Sequence, residues 1–172
     1  MPIIQLKLDE AKLRLTLHSV NFLGKKAREA AMNELGATAI QMLGESAKKL
    51  RDNGSVATSF LVNSGKVKKY DKGYTVGYSA SYAYIVEFGR KIGTMPPVSA
   101  LIPWVKKKLR INDPKQQKQV AFLVARSIKH NGIKPKPFFY PAYEKVIKGI
   151  SGRIINAVNK ALRRDIYTLL RL

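Results

Sequence analysis

The chain contains no cysteine, which excludes disulfides, thiolate metal sites and cysteine nucleophiles. It has two histidines, His18 and His130, and neither has a second histidine or a carboxylate at ligand spacing, so no zinc or iron site is expected. No apolar run approaches the roughly 20 residues needed to span a bilayer, and the N-terminus lacks the layout of a signal peptide. We therefore expect a soluble protein, made in a cytosol, with no cofactor and no membrane partner.

Acidic residues are scarce. Eleven Asp and Glu stand against 32 Lys and Arg, which gives a formal net charge of +21. Residues 61–172 hold 23 of the basic residues and five of the acidic ones, so this part of the chain makes nearly all of the positive field. Such a field attracts nucleic acid, an anionic membrane or an acidic protein. Positive charge alone does not choose among these partners.

The usual catalytic motifs are missing. Gly65-Lys66 lacks the upstream glycine of a P-loop, and no Gly-x-Ser-x-Gly sequence occurs. A hydrolase with two carboxylates would have to use Glu87 with a partner that the sequence does not reveal. Together with the small stock of His, Cys, Asp and Glu, these absences predict that the protein is not an enzyme and works through its surfaces.

The length of 172 residues predicts a single domain over residues 1–172. Apolar residues at helical spacing predict a long helix from about residue 21 to 51, which Asn53-Gly54 ends. Alternating patterns predict strands near residues 4–17, for which a short helical lead-in is the alternative, and an antiparallel meander over residues 55–88. The three alternating sets of this meander begin at Val56, Tyr74 and Tyr82.

Two further helices are predicted after a loop at residues 89–97. The first covers residues 99–109 with Ser99 as its cap, and the second starts at Asn112-Asp113-Pro114 and stops at Gly132. A last long helix is predicted from about residue 141 to 170. The predicted fold is α+β: a small antiparallel β-sheet packed against long N- and C-terminal helices, with an extra helical insertion between the sheet and the last helix.

Two stretches of sequence form a distinctive pair. The first runs from Tyr82 to Arg90 and the second from Gly132 to Ala142. The matching residues are Tyr82, Ala83, Val86, Glu87, Phe88 and Gly89 in the first, and Pro137, Phe138, Pro141 and Ala142 in the second. In order and spacing the pair resembles the head–tail connector and tail-completion (neck) proteins of long-tailed bacteriophages. The resemblance covers about residues 20–150, although the Asp-Thr-Gly that this family usually has near Gly54 is absent.

The resemblance implies a structural virion protein at the head–tail junction. It implies a hexameric or dodecameric ring that joins or completes the tail for attachment to the DNA-filled head. The neighbours would be a head-completion or adaptor protein and a tail terminator or tail tube protein, and DNA would pass through the lumen without specific binding. The protein would be made in the host cytoplasm and reside in the virion.

Four residues near the first motif are candidates for a subunit interface. They are Glu87, Phe88, Arg90 and Trp104. Glu87 beside Arg90 could pair across a subunit boundary, or it could offset the positive charge around the end of a strand. Phe88, with Phe138 and Phe139, is expected as a core or docking anchor for the last helix. For Trp104 the alternative to an interface is core packing.

A basic run in the predicted insertion is the candidate lumen or polyanion-facing surface. It comprises Lys106, Lys107, Lys108 and Arg110. The alternative is an ordinary solvated helix face.

A basic nucleic-acid-binding protein is the alternative function. It would use the same charge, together with tyrosines on the predicted sheet as platforms for base stacking. These tyrosines are Tyr70, Tyr74, Tyr78, Tyr82 and Tyr84. Against this function, alternating tyrosines are ordinary strand composition, and no known nucleic-acid-binding motif occurs.

Overall fold

The computed structural model describes residues 4–7, 24–54 and 59–169, with side chains for residues 24–54 and 59–163. The strands in this part of the chain are β1 (Ile4–Lys7), β2 (Gly65–Tyr70) and β3 (Gly73–Tyr78). The helices are α1 (Gly24–Asp52), α2 (Phe60–Asn63), α3 (Ala83–Phe88), α4 (Val98–Leu109), α5 (Pro114–Asn131), α6 (Phe139–Ile147) and α7 (Ile150–Leu169). The predicted α+β class is confirmed, and the sheet has the strand order β1-β3-β2.

The long N-terminal helix is confirmed as α1. Its buried residues recur every three or four positions, as in Ala27, Ala31, Leu35 and Ala39, so they form one apolar face. The helix ends where Gly54 takes a positive φ of 63° and donates its N–H to the Arg51 carbonyl at 2.9 Å. Glycine adopts this conformation without steric cost, which makes it a common helix terminator.

The described residues group into two compact units, each assembled from separate stretches of the chain. The first takes in residues 47–54, 59–64 and 78–140, and the second takes in residues 24–46, 65–77 and 141–169. The prediction of a single domain over residues 1–172 stays a prediction.

The core of the second unit lies between α1 and α7. Leu35, Ile154 and Val158 are among its buried residues, with Tyr74 of β3 packed against them. Arg153 of α7 reinforces this packing. Its guanidinium donates to the Glu34 carboxylate at 3.1 Å, and to the Val146 and Lys148 carbonyls at 2.9 and 3.2 Å. A cation at the last carbonyls of α6 complements the helix dipole.

The core of the first unit contains three buried aromatic rings. Tyr78 meets Phe138 and Phe139 edge to face, with ring centroids 5.1 and 6.0 Å apart. Such pairs contribute about 0.5–1.5 kcal/mol each beyond the burial of their area. The prediction that Phe138 and Phe139 anchor the last helix in the core is confirmed.

The predicted meander over residues 55–88 is only partly right. Tyr74, Val76 and Tyr78 lie in β3 as predicted, and β2 precedes it across the turn at Asp71 and Lys72. The first alternating set is wrong where the structure describes it, because Phe60–Asn63 is a helical turn. Residues 55–58 lie outside the described chain.

The third set, from Tyr82 to Phe88, is also not a strand. It forms α3, in which Ala83 and Glu87 are buried and Tyr84 and Phe88 are exposed. Residues four apart share a face in a helix and in a strand alike, so the burial of Ala83 and Glu87 by itself does not distinguish the two. At the N-terminus, β1 agrees with the alternation that includes Ile4 and Leu6, and the positions from Leu8 to Leu17 lie outside the described residues.

The predicted helical insertion is confirmed as α4 and α5. Asp113 caps α5, because its carboxylate accepts the Gln116 N–H at 2.8 Å, and Pro114 occupies the first helical position. Ser99 is not the cap of α4. It lies inside the helix, and Pro97 takes the cap position.

The last helix is not continuous as predicted. It is divided into α6 and α7 at Lys148 and Gly149, where Gly149 has a φ of 73°.

Candidate functional site

A buried carboxylate joins the two sequence motifs. Glu87 of α3 is only 3% exposed. Its Oε2 accepts the N–H groups of Phe138 and Phe139 at 2.8 and 2.9 Å, and its Oε1 accepts the N–H of Tyr140 at 3.0 Å. The first N–H groups of a helix have no acceptor within the helix, and the helix dipole favours a negative charge there. Glu87 therefore caps α6 from about 50 residues upstream.

The segment before α6 is held on both sides. The Lys136 N–H donates to the Val86 carbonyl at 2.8 Å. Asn53 Nδ2 donates to the Pro137 carbonyl at 3.1 Å, and Lys136 Nζ donates to the Asn53 carbonyl at 3.2 Å. These bonds fix the direction in which the chain enters α6, so the three amides reach Glu87 together.

A backbone bridge lies beside the cap. Arg90 and Ile133 exchange two hydrogen bonds of 2.9 and 2.8 Å in an antiparallel bridge. Gly89 precedes this bridge with a φ of 75°, and a Cβ there would lie 2.5 Å from the Ile133 carbonyl oxygen and 2.9 Å from Pro135 N. Only glycine allows this close approach at a positive φ.

Comparison of the chain with family models, with curated proteins and with solved structures gives no match.

The described part of the chain has neither a metal-binding cluster nor a helix that could span a membrane. Residues 24–54 and 59–163 hold no group of three or more His, Cys, Asp or Glu that could bind a metal ion. None of the described helices is both long and apolar enough to cross a membrane.

The structure corrects the prediction for Glu87. Pairing across a subunit boundary is wrong, because the carboxylate is buried and its oxygens accept backbone amides of its own chain. The alternative placed Glu87 at the end of a strand, and this placement is wrong because Glu87 lies in a helix.

The other interface candidates are accessible to different degrees. Phe88 is 56% exposed, so its predicted role as a core anchor is wrong. It contacts Tyr84, itself 48% exposed, with ring centroids 4.8 Å apart. Arg90 is partly buried and donates to the Thr94 carbonyl at 3.2 Å, and Trp104 is partly buried. The sequence analysis did not identify Tyr84 as the exposed partner of Phe88, although their spacing of four would pair them on a helix.

The basic run at the end of α4 is exposed throughout. This holds for Lys106, Lys107, Lys108 and Arg110. α4 and α5 form a helical hairpin that carries these cations. It is rigid because Val105, Ala121 and Ala125 are fully buried. Gln117 also donates to the Ile111 carbonyl at 2.8 Å, which ties the connecting loop to α5.

The predicted tyrosine platform does not form. Tyr78 is buried in the core, and Tyr82 and Tyr84 do not lie in the sheet because the chain there turns into α3. Stacking of several bases on one sheet face, as the alternative function required, therefore loses its structural basis.

Proposed function

We propose that this chain is a structural virion protein of a long-tailed bacteriophage, and that it forms a ring at the head–tail junction and joins or completes the tail. The observation that supports this function is the contact between the two motifs of the resemblance. Glu87 of the first motif accepts three amides at the start of the helix that the second motif opens. Residues that matched the family only by chance would not be expected to lie together in one buried contact.

A ring needs a rigid subunit with a surface for its neighbour. The Glu87 cap at the start of α6 and the Arg90–Ile133 bridge supply the rigid part in the first unit. The exposed ring pair of Tyr84 and Phe88 lies directly beside the cap, on the outer face of α3. Aromatic side chains are enriched at the centres of protein interfaces, where a few anchors carry most of the binding energy. This pair is our candidate for the centre of the contact between ring subunits.

Charge controls when assembly occurs. Subunits with a net charge of +21 repel one another. A ring therefore forms most readily where an acidic neighbour or the DNA lowers this repulsion. Ordered assembly at the junction follows, because the free subunits are held apart until they meet the partner.

The first test is electron microscopy of a phage lysate that lacks this gene product. DNA-filled heads beside separate tails of normal length are the expected result. Overlong or absent tails would still indicate a virion protein, but one that acts in the assembly of the tail itself. Intact infectious particles would contradict the proposed function.

Replacement of the exposed ring pair tests the proposed ring contact. The variant protein is supplied to phage that lack the gene product. We expect Tyr84→Ser together with Phe88→Ser to fail to restore infectious particles, because each aromatic anchor contributes about 2 kcal/mol or more to an interface. The measurement is the infectious titre, with the thermal unfolding of the purified variant as a check on folding. Phe122→Ser is the matched control, because Phe122 is also about half exposed but lies on α5. Normal titre with the double variant, or loss of titre with the control alone, would move the contact away from α3.

A further inference from the structure

The positive charge of the first unit is concentrated in one segment. Residues 89–138 contain twelve Lys and Arg and a single acid, Asp113. The Asp113 carboxylate is occupied at the start of α5, where it accepts the Gln116 N–H. No other carboxylate in residues 89–138 offsets the field of these cations, so the positive potential of the segment extends into the solvent.

The fold arranges this charge in rows. Gln117, Ala121 and Ala125 form the buried side of α5. Its exposed side carries cations at positions 115, 118, 126 and 129, which are spaced by three, eight and three residues and therefore share a face. At 1.5 Å per residue this row is about 21 Å long, roughly the axial length over which one DNA strand presents six phosphates.

The end of α4 adds a second group of cations to the same hairpin. Lys106, Lys108 and Arg110 are exposed there, five to nine residues before Lys115. We propose that the α5 row of Lys115, Lys118, Arg126 and Lys129, called here the basic face, binds the phosphate backbone of double-stranded nucleic acid without selecting its sequence.

The kind of cation favours nucleic acid over an acidic protein. Nine of the twelve cations in residues 89–138 are lysines. Lysine is depleted at protein interfaces, where arginine is enriched, whereas both residues neutralise phosphates by releasing bound counterions. Since no base-reading motif occurs on the hairpin, the contacts are expected to be with the backbone. This goes beyond the proposed function, in which DNA only passes through the ring.

The test is fluorescence anisotropy of the full chain with a labelled 20-base-pair duplex over a series of salt concentrations. Lys115→Gln, Lys118→Gln, Arg126→Gln and Lys129→Gln are combined in one variant. We expect its affinity to fall at least about tenfold, and the slope of log affinity against log salt to become shallower by about two or more. A second duplex of unrelated sequence should bind the wild type equally well.

A matched control separates position from total charge. Lys66→Gln, Lys68→Gln, Lys69→Gln and Lys72→Gln remove the same number of exposed cations from the β2–β3 hairpin. This control should keep most of the wild-type affinity. Equal losses in the two variants would show that only net charge matters and would overturn the proposal, as would absence of duplex binding by the wild type at low salt. Tighter binding to polyglutamate than to the duplex would overturn it in favour of an acidic protein partner. None of these outcomes depends on the result of the lysate experiment.

Discussion

Glu87→Ala is expected to destabilise the protein by about 3–5 kcal/mol. The substitution leaves the N–H groups of Phe138, Phe139 and Tyr140 without their acceptor, in a position shielded from water. An unsatisfied buried donor costs about 1–3 kcal/mol, and the dipole of α6 loses its neutralising charge. Because domains are stable by only about 5–15 kcal/mol, the loss is large. Urea unfolding followed by circular dichroism measures it.

Two further variants separate the charge of Glu87 from its shape. Glu87→Gln keeps one acceptor oxygen but turns a donor toward an amide that needs an acceptor, so we expect a smaller loss than with alanine. Glu144→Gln removes the same charge from an exposed position of α6 and should change stability by less than about 0.5 kcal/mol. If Glu87→Gln unfolds like the wild type, the carboxylate charge does not stabilise the helix.

Gly89→Ala is expected to cost about 3 kcal/mol or more. The new Cβ would lie 2.5 Å from the Ile133 carbonyl oxygen, so the backbone bridge between Arg90 and Ile133 has to open. Its two hydrogen bonds contribute about 1 kcal/mol each, and the positive φ of 75° adds about 1–3 kcal/mol of strain for a residue with a Cβ. The free energy of unfolding in urea is again the measurement.

Gly149→Ala is the control for this prediction. Its φ of 73° matches that of Gly89, and no heavy atom lies within 4 Å of the added Cβ. We expect it to lose only the cost of the left-handed backbone, about 1–2 kcal/mol. Equal losses at Gly89 and Gly149 would show that the contact with Ile133 is unimportant.

The misassignment of α3 shows where the sequence pattern fails. Tyr82, Tyr84, Val86 and Phe88 alternate with other residues, and aromatic and β-branched residues favour strands. Tertiary packing overrides this preference, because the helix buries the small Ala83 and the capping Glu87 on one side. The spacing of four between Ala83 and Glu87 gave no signal, because it places both residues on one face of a strand as well as of a helix. A buried glutamate is also too rare to be assigned to a core without knowledge of its partner.

The lack of a local capping residue at the start of α6 was a signal that the sequence did offer. No Ser, Thr, Asp or Asn stands just before Phe139, and the first turn contains no acid. A helix start without a local acceptor requires one from elsewhere in the chain, and Glu87 is the acid of the matched motif. Sequence alone could pose this requirement but could not place Glu87 beside the amides, because that depends on contacts about 50 residues apart.

The elements with strong local signals were predicted well. The helices α1, α4 and α5 have apolar periodicity and recognisable ends, such as Asp113-Pro114 and Gly132. The break between α6 and α7 was missed because the apolar stripe continues across it, and Gly149 with its positive φ lies within that stripe.

The bridge between Arg90 and Ile133 affects which parts of this sequence can change in evolution. The chain leaves for α4 and α5 and returns from them at two hydrogen-bonded neighbours, and the Gly93 N–H also meets the Lys129 carbonyl at 2.8 Å. The free energy of closing a loop depends only weakly on its length. The helical hairpin is therefore an exchangeable module: it can be lengthened, shortened or replaced by a tight turn while Glu87 still reaches α6. The surface of the hairpin can therefore change quickly in sequence while the rest of the fold stays the same.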